Sequence, residues 1–267
     1  MFEDEDLIAN YEIHNDFLIK ESDINHLTSK HSKNLTIDAK RHLIEGFSRR
    51  FFMIQSSRIK TLTIATYKRT KCLGLHECHE INLYLNSYYV QLRGALDNLA
   101  WTLHYQFDII PDCDEESGKY RNKCDLFGKE FLKVLTSKGD IFSKLATFIQ
   151  GYNDWYKNLK DFRDPAAHRI PIYIPPSCIT EEDVPKLNAM YEEYNHFWAN
   201  ADIRGVGTES FGNESFNKMD DIRNVGNFMP LFATSGPNGL TNFPLHETIN
   251  RDQTNFLDIS KYIIERL

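Results

Sequence analysis

"LHECHEINLYLNSYYVQLRGALDNLAWTLHYQF", residues 75–107, decides the fold. Within it Leu85, Tyr89, Leu92, Leu96, Leu99 and Leu103 recur at alternating spacings of four and three, which lines them along one face of an α-helix. A stripe this regular is a bundle seam, so partner helices are expected on both sides of it in the chain.

Upstream, residues 37–67 carry Leu43, Ile44, Phe47, Phe51, Ile54 and Ile59 at roughly helical spacing, interrupted only by Gly46, with lysines and arginines on the other face. Residues 1–34 are mixed, weakly periodic and end in the polar "SKHSKN". They read as an N-terminal arm with a short element around "FLIK". Downstream, "DIIPDCDEESGKYRNKCD" (108–125) is a polar connection, and residues 126–139 hold one short helix. "IFSKLATFIQGYNDWYKNLKDF" (141–162) carries a third apolar helical series. After the extended "IPIYIPPS", Thr180 and two acids open a fourth helix in "TEEDVPKLNAMYEEYNHFWAN". Residues 201–245 are rich in Gly, Asn and Ser with a strand at "NFMPLFATS", and "TNFLDISKYIIERL" closes the chain as an amphipathic helix. The expected class is mainly α: an antiparallel four-helix bundle over 35–200, preceded by the arm at 1–34. An irregular C-terminal cover at 201–267 supplies a short strand and a terminal helix.

The 267 residues are enough for one large core, and 41% apolar with 26% charged residues is a folded composition. A net charge of −7 argues against broad binding to a polyanion, so any nucleic-acid contact is expected to be local. The acidic start "MFEDEDLIAN" and the lack of an apolar run of about 20 residues give a cytoplasmic reading with no membrane partner. Five scattered cysteines without a CxxC pair indicate reduced, buried or neutral thiols.

Chemistry concentrates in "LKDFRDPAAHRIPIYIPPS", residues 159–177. On a continuous helix Arg163 and His168 stand five residues and about 140° apart. Pro165 lacks an N–H and disfavours helical backbone at Asp164, so the incoming helix is expected to end or kink near Arg163. A new turn would then start with Asp164 as N-cap and Pro165 at N1, which could bring Arg163 and His168 to one spot. A guanidinium clamps phosphate oxygens while an imidazole exchanges a proton near neutral pH. Together they suit phosphodiester transesterification, for which no metal or other cofactor is required. The same residues also read as a structural corner in a non-catalytic helical interaction module that binds a protein partner.

Arg163, Asp164 and His168 together resemble the R-x(4-6)-H signature of the HEPN superfamily, in which a polar residue commonly follows the arginine near the end of a bundle helix. "LRGALDNLAW" in the seam helix is similar to helices of that group, and the resemblance covers residues 36–200. The C-terminal third is similar to uncharacterised bacterial proteins. Two features depart from the family pattern: Pro165 lies inside the motif, and the chain is larger and more acidic than a minimal toxin. The resemblance implies a HEPN-like helical bundle, commonly a homodimer. Members are metal-independent endoribonucleases of toxin–antitoxin and defence systems, or RNA- and nucleotide-binding modules that have lost activity. Carried to this chain, His168 is the general acid/base, Arg163 the phosphate clamp and Asp164 its support; RNA or a nucleotide is the ligand, and an antitoxin a candidate partner.

Other candidates are weighed beside these. Arg93 and Asp97 lie one helical turn apart, beside the seam and in line with His104. They form a helix-stabilising pair, or Asp97 reaches across to orient Arg163 or His168. Arg58, Lys60, Lys68, Arg69 and Lys71, and the group Lys157, Lys160, Arg163 and Arg169, are RNA-backbone tracks or solvated faces. Tyr88, Tyr152, Trp155 and Tyr156 stack bases or fill the core. "HECHE" sets His76, His79 and Glu80 on one helical face without HExxH spacing, and is read as a polar surface and not a metal site.

Overall fold

The computed structural model describes residues 4–113, 121–168, 170–201, 207–236 and 239–267, and for 4–11, 121, 168 and 236 the backbone alone. In chain order it forms α1 (Asp4–His31), α2 (Ile37–Arg41), a π-helical segment (His42–Ser48), α3 (Arg49–Ile64), α4 (Leu75–Phe107) and α5 (Lys129–Ser137). There follow α6 (Asp140–Gln150), α7 (Asn153–His168), α8 (Val184–Ala199), α9 (Glu209–Arg223), an antiparallel hairpin of β1 (Leu231–Gly236) and β2 (Gly239–Pro244), and α10 (Leu245–Ile264). The molecule is mainly helical. Among the described residues no helix is long and apolar enough to cross a membrane.

The seam helix has the bounds its periodicity indicates, and all six stripe residues are fully buried. Its first turn is closed by Glu77, whose Oε2 accepts the Gly74 N–H at 3.0 Å while Arg69 grips the same carboxylate at 2.7 and 2.5 Å. At its other end Asp108 turns left-handed, and buried His104 staples the exit loop. The His104 Nδ1 accepts the Ile110 N–H and its Nε2 donates to the Cys113 carbonyl. Helix α3 runs antiparallel to α4, since Arg50 bonds Gln91 and Asn98 while Ser57 bonds Ser87. Side chains lie directly over two glycines: a Cβ on Gly46, in the π-helical segment, would sit 2.4 Å from the Asn98 amide, and one on Gly94 would sit 2.7 Å from the Arg50 guanidinium. Helix α7 is also antiparallel to α4, with Tyr156 under Arg93 and Phe162 against Tyr89.

Four expectations are corrected. The N-terminal arm is the 28-residue helix α1, which packs against α10. Its weak periodicity has a cause: besides Phe17 and Ile24, its buried face presents Glu21, which is held by Arg58 and Gln253. The third apolar series is two helices, because the chain breaks at Gly151–Tyr152 between α6 and α7. The fourth helix starts at Val184, because Thr180 donates both its N–H and its hydroxyl to Asp183 in a preceding turn. It pairs with α9 and fully buries only Phe197, so it is no core member of the bundle. The C-terminal third is more regular than expected, since α9 lies within it and the terminal helix begins at Leu245.

The proline-studded segment after α7 is extended, as its sequence indicates, and it has two anchors. On one side Asn82 exchanges hydrogen bonds with the Ile174 backbone at 3.2 and 2.7 Å, and Asn86 donates to the Ile172 carbonyl at 2.9 Å. On the other, Tyr173 and Ala233 exchange backbone bonds at 3.0 and 2.7 Å, which adds a short third run to the hairpin. The end of α7 is thereby fixed against both α4 and β1.

Candidate functional site

Helix α7 neither ends at Arg163 nor restarts at Asp164; it runs unbroken through Pro165 to His168, which corrects the expected N-cap at Asp164. A proline in a helix interior costs about 3 kcal/mol, mainly through the lost bond to the carbonyl four residues back and the clash with it. Here Pro165 lies in the last turn and is itself buried. Phe162 before it is in the core and the segment after it is pinned by Asn86, so the surrounding packing imposes the helical path. Backbone positions 163 and 168 therefore keep the five-residue separation of a helix, about 140° around the axis. The side chain of His168, and Arg169 altogether, lie outside the described residues.

Arg163 pairs with its neighbour, Nη1 standing 3.1 Å from Asp164 Oδ1. Its Nε is shielded from solvent and has no hydrogen-bond partner among the described residues. The guanidinium belongs to a larger cluster. Arg93 Nη1 reaches Asp97 Oδ1 at 2.7 Å and its Nη2 reaches Asp125 Oδ2 at 3.5 Å, while its Cζ lies 4.8 Å from the Tyr156 ring centroid. The Tyr156 hydroxyl donates to Asp125 at 2.9 Å, and Lys160 lies 4.6 Å from the same ring centroid. Partial burial pushes the Asp97 carboxyl up to about 6; Asp125 adds to the rise, and Arg93, Arg163 and Arg50 oppose it. Asp97 thus sits within the field of Arg163, but its direct partner is Arg93.

A surface groove of ≈ 400 Å³ opens beside this cluster. Lys160, Asp161, Asp164 and Pro165 line one wall, and Thr234, Ser235 and Thr241 of the hairpin line the other. Among the described lining residues Lys160 is the one cation, beside the carboxylates of Asp161 and Asp164, and its ammonium and the hairpin hydroxyls can donate to phosphate oxygens. Arg50, Asp125 and the hairpin hydroxyls are additions to the residues singled out from sequence. Gly94, over which the Arg50 guanidinium lies, was the signal for one of them.

The remaining candidates are placed as follows. Arg58 is a core residue, 1% exposed against Glu21, and Arg69 caps α4 through Glu77, so neither forms an RNA track. Tyr88, Trp155 and Tyr156 are buried and Tyr152 packs against Phe148; these aromatics fill the core. His76, His79 and Glu80 are exposed, and no group of three potential metal ligands occurs among the described residues. The cysteines are free thiols. Comparison with protein-family models, with curated proteins and with solved structures yields no match.

Proposed function

We propose that this chain is a HEPN-like protein that binds RNA or a nucleotide at the Arg163 cluster and acts as a metal-independent endoribonuclease. Arg163 is the phosphate clamp, with Asp164, Arg93 and Asp97 holding the local charge balance. His168 takes the proton of a ribose 2′-hydroxyl, the 2′-oxygen attacks phosphorus and the P–O5′ bond breaks. The 5′-oxygen leaves with a proton, and a 2′,3′-cyclic phosphate remains. Because α7 continues unbroken between the two positions, a homodimer that sets Arg163 of one protomer beside His168 of its partner supplies the shared site.

One observation carries this reading. In a chain of net charge −7, the cations Arg50, Arg93, Lys160 and Arg163 gather around Asp97, Asp125 and Asp164, and Lys160 reaches the groove that Asp161, Asp164 and the hairpin hydroxyls line. The test is fluorescence anisotropy with a mixed-sequence single-stranded RNA at two salt concentrations. Wild type binds more weakly at high salt, and Arg163→Ala loses at least about tenfold in affinity, the loss of one charge-assisted phosphate contact. Lys186→Ala, on an exposed part of α8, serves as control. No binding by wild type, or equal losses in both variants, removes the proposal.

The Arg163–Asp164 contact favours a second reading, a non-catalytic interaction module in which these two residues neutralise each other at a structural corner. On that reading Arg163→Ala lowers the thermal midpoint and leaves RNA binding unaltered or absent throughout.

A further inference from the structure

Arg58, Arg69, Arg93, Arg163 and Arg251 each hold a carboxylate, those of Glu21, Glu77, Asp97, Asp164 and Asp252. Arg223, at the end of α9, does not. Its half-buried guanidinium makes no hydrogen bond or ion pair among the described residues, and its Nη1 is closed off from solvent without an acceptor. It lines a cavity of ≈ 450 Å³ with Cys78, Asn82, Asn86 and Tyr173, and no carboxylate is among the described lining residues. Burial raises the pKa of the Cys78 thiol and of the Tyr173 phenol, so both are neutral near pH 7 and neither opposes the positive charge. A partly desolvated, uncompensated guanidinium is costly to a fold, and its fork matches phosphate oxygens.

A second unsatisfied group belongs to a residue that lines the same space. The Asn86 amide nitrogen is committed to the carbonyls of Asn82 and Ile172, whereas its Oδ1 is buried without a donor. The cavity continues into an apolar one of ≈ 520 Å³ that shares Asn82, Asn86, Pro171 and Tyr173 and adds Ile172 and Leu240. An anionic head, an N–H donor and a flat, largely apolar body match these three features, in a volume suited to a small ligand.

We propose that this cavity binds a nucleoside monophosphate, with its phosphate on Arg223, a base N–H on Asn86 Oδ1 and the base against Tyr173 and Pro171. Asn86 and Asp97 are eleven residues apart on α4, about 16 Å along the helix, and none of the described lining residues belongs to the Arg163 cluster. The two proposals therefore fail separately.

Isothermal titration of the full chain with the four ribonucleoside monophosphates, adenosine and inorganic phosphate tests the assignment. At least one monophosphate is expected to bind with a Kd below about 1 mM. Arg223→Gln should weaken it at least about tenfold, and adenosine and phosphate alone should bind more weakly by a similar factor. Leu83, 68% exposed on the cavity rim, gives a variant that keeps the fold: Leu83→Glu sets a carboxylate near Arg223 and should weaken binding too. The assignment is overturned if none of the four binds at about 5 mM, or if Arg223→Gln and Leu83→Glu bind like wild type. Inorganic phosphate binding as tightly as the nucleotides overturns the nucleotide assignment, and loss confined to Arg163→Ala moves binding to the other cluster.

Discussion

Arg58 Nη2 lies 3.3 Å from Glu21 Oε1 with both side chains almost fully buried, and this pair fastens α1 to the body of the protein. Gln253 of α10 donates to the same Glu21 oxygen at 3.0 Å, and the Arg58 guanidinium lies 4.9 Å from the Phe17 ring centroid. Removing one partner of a buried pair leaves the other charge uncompensated, which costs about 3–5 kcal/mol. Glu21→Ala is expected to lose stability on that scale in urea unfolding, and Glu21→Met with Arg58→Met together to lose clearly less. Additive losses would show that the pair is not coupled.

His246 contributes a pH dependence of determinate sign. Its Nε2 donates to the Ala65 carbonyl at 2.6 Å, its ring lies against Tyr67, and burial lowers its pKa to about 4. An unfolded histidine titrates near 6.5, so between about pH 6.5 and pH 4 the unfolded state binds more protons than the folded state. Stability is lost as pH falls through that window, by up to about 3 kcal/mol from this group. Unfolding free energies from pH 7 to 4 should fall in wild type and fall distinctly less in His246→Gln; parallel profiles would exclude the assignment.

Gly46 sets two opposed effects against each other. Alanine is a better helix former by about 1 kcal/mol, but its Cβ would lie 2.4 Å from the Asn98 amide, which Arg50 holds at 3.1 Å. Overpacking of about 1–3 kcal/mol wins, so Gly46→Ala should lower the urea midpoint. A stabilised variant would mean that the Asn98 side chain moves aside at no cost.

What was legible in the sequence follows the physics of each element. Helix α4 stood out because its buried face is almost wholly apolar, and Leu85 to Leu103 write that face into the chain at a helical period. Helix α1 did not, because its interior contact runs through Glu21 and Arg58, residues that on their own read as solvated. Pro165 read as a break because local rules speak of its missing N–H, while the burial of Phe162 and Pro165 and the Asn86 anchor that override them are tertiary. The Arg93–Asp97 pair was legible because residues one helical turn apart share a face, and it stands at 2.7 Å; that Arg93 also reaches Asp125 was not, because it depends on the path of long side chains. Arg223 gave no signal, since an arginine without a carboxylate becomes visible only once its surroundings are known.

The measurement that bears most directly on the central claim is cleavage of a mixed RNA pool under chelator by wild type and His168→Ala, with the new termini identified. Wild type is expected to leave 2′,3′-cyclic phosphate and 5′-hydroxyl ends, and His168→Ala to slow cleavage at least about 100-fold while its thermal midpoint stays close to that of wild type. Absence of turnover by wild type, or wild-type rates in the variant, would contradict the claim.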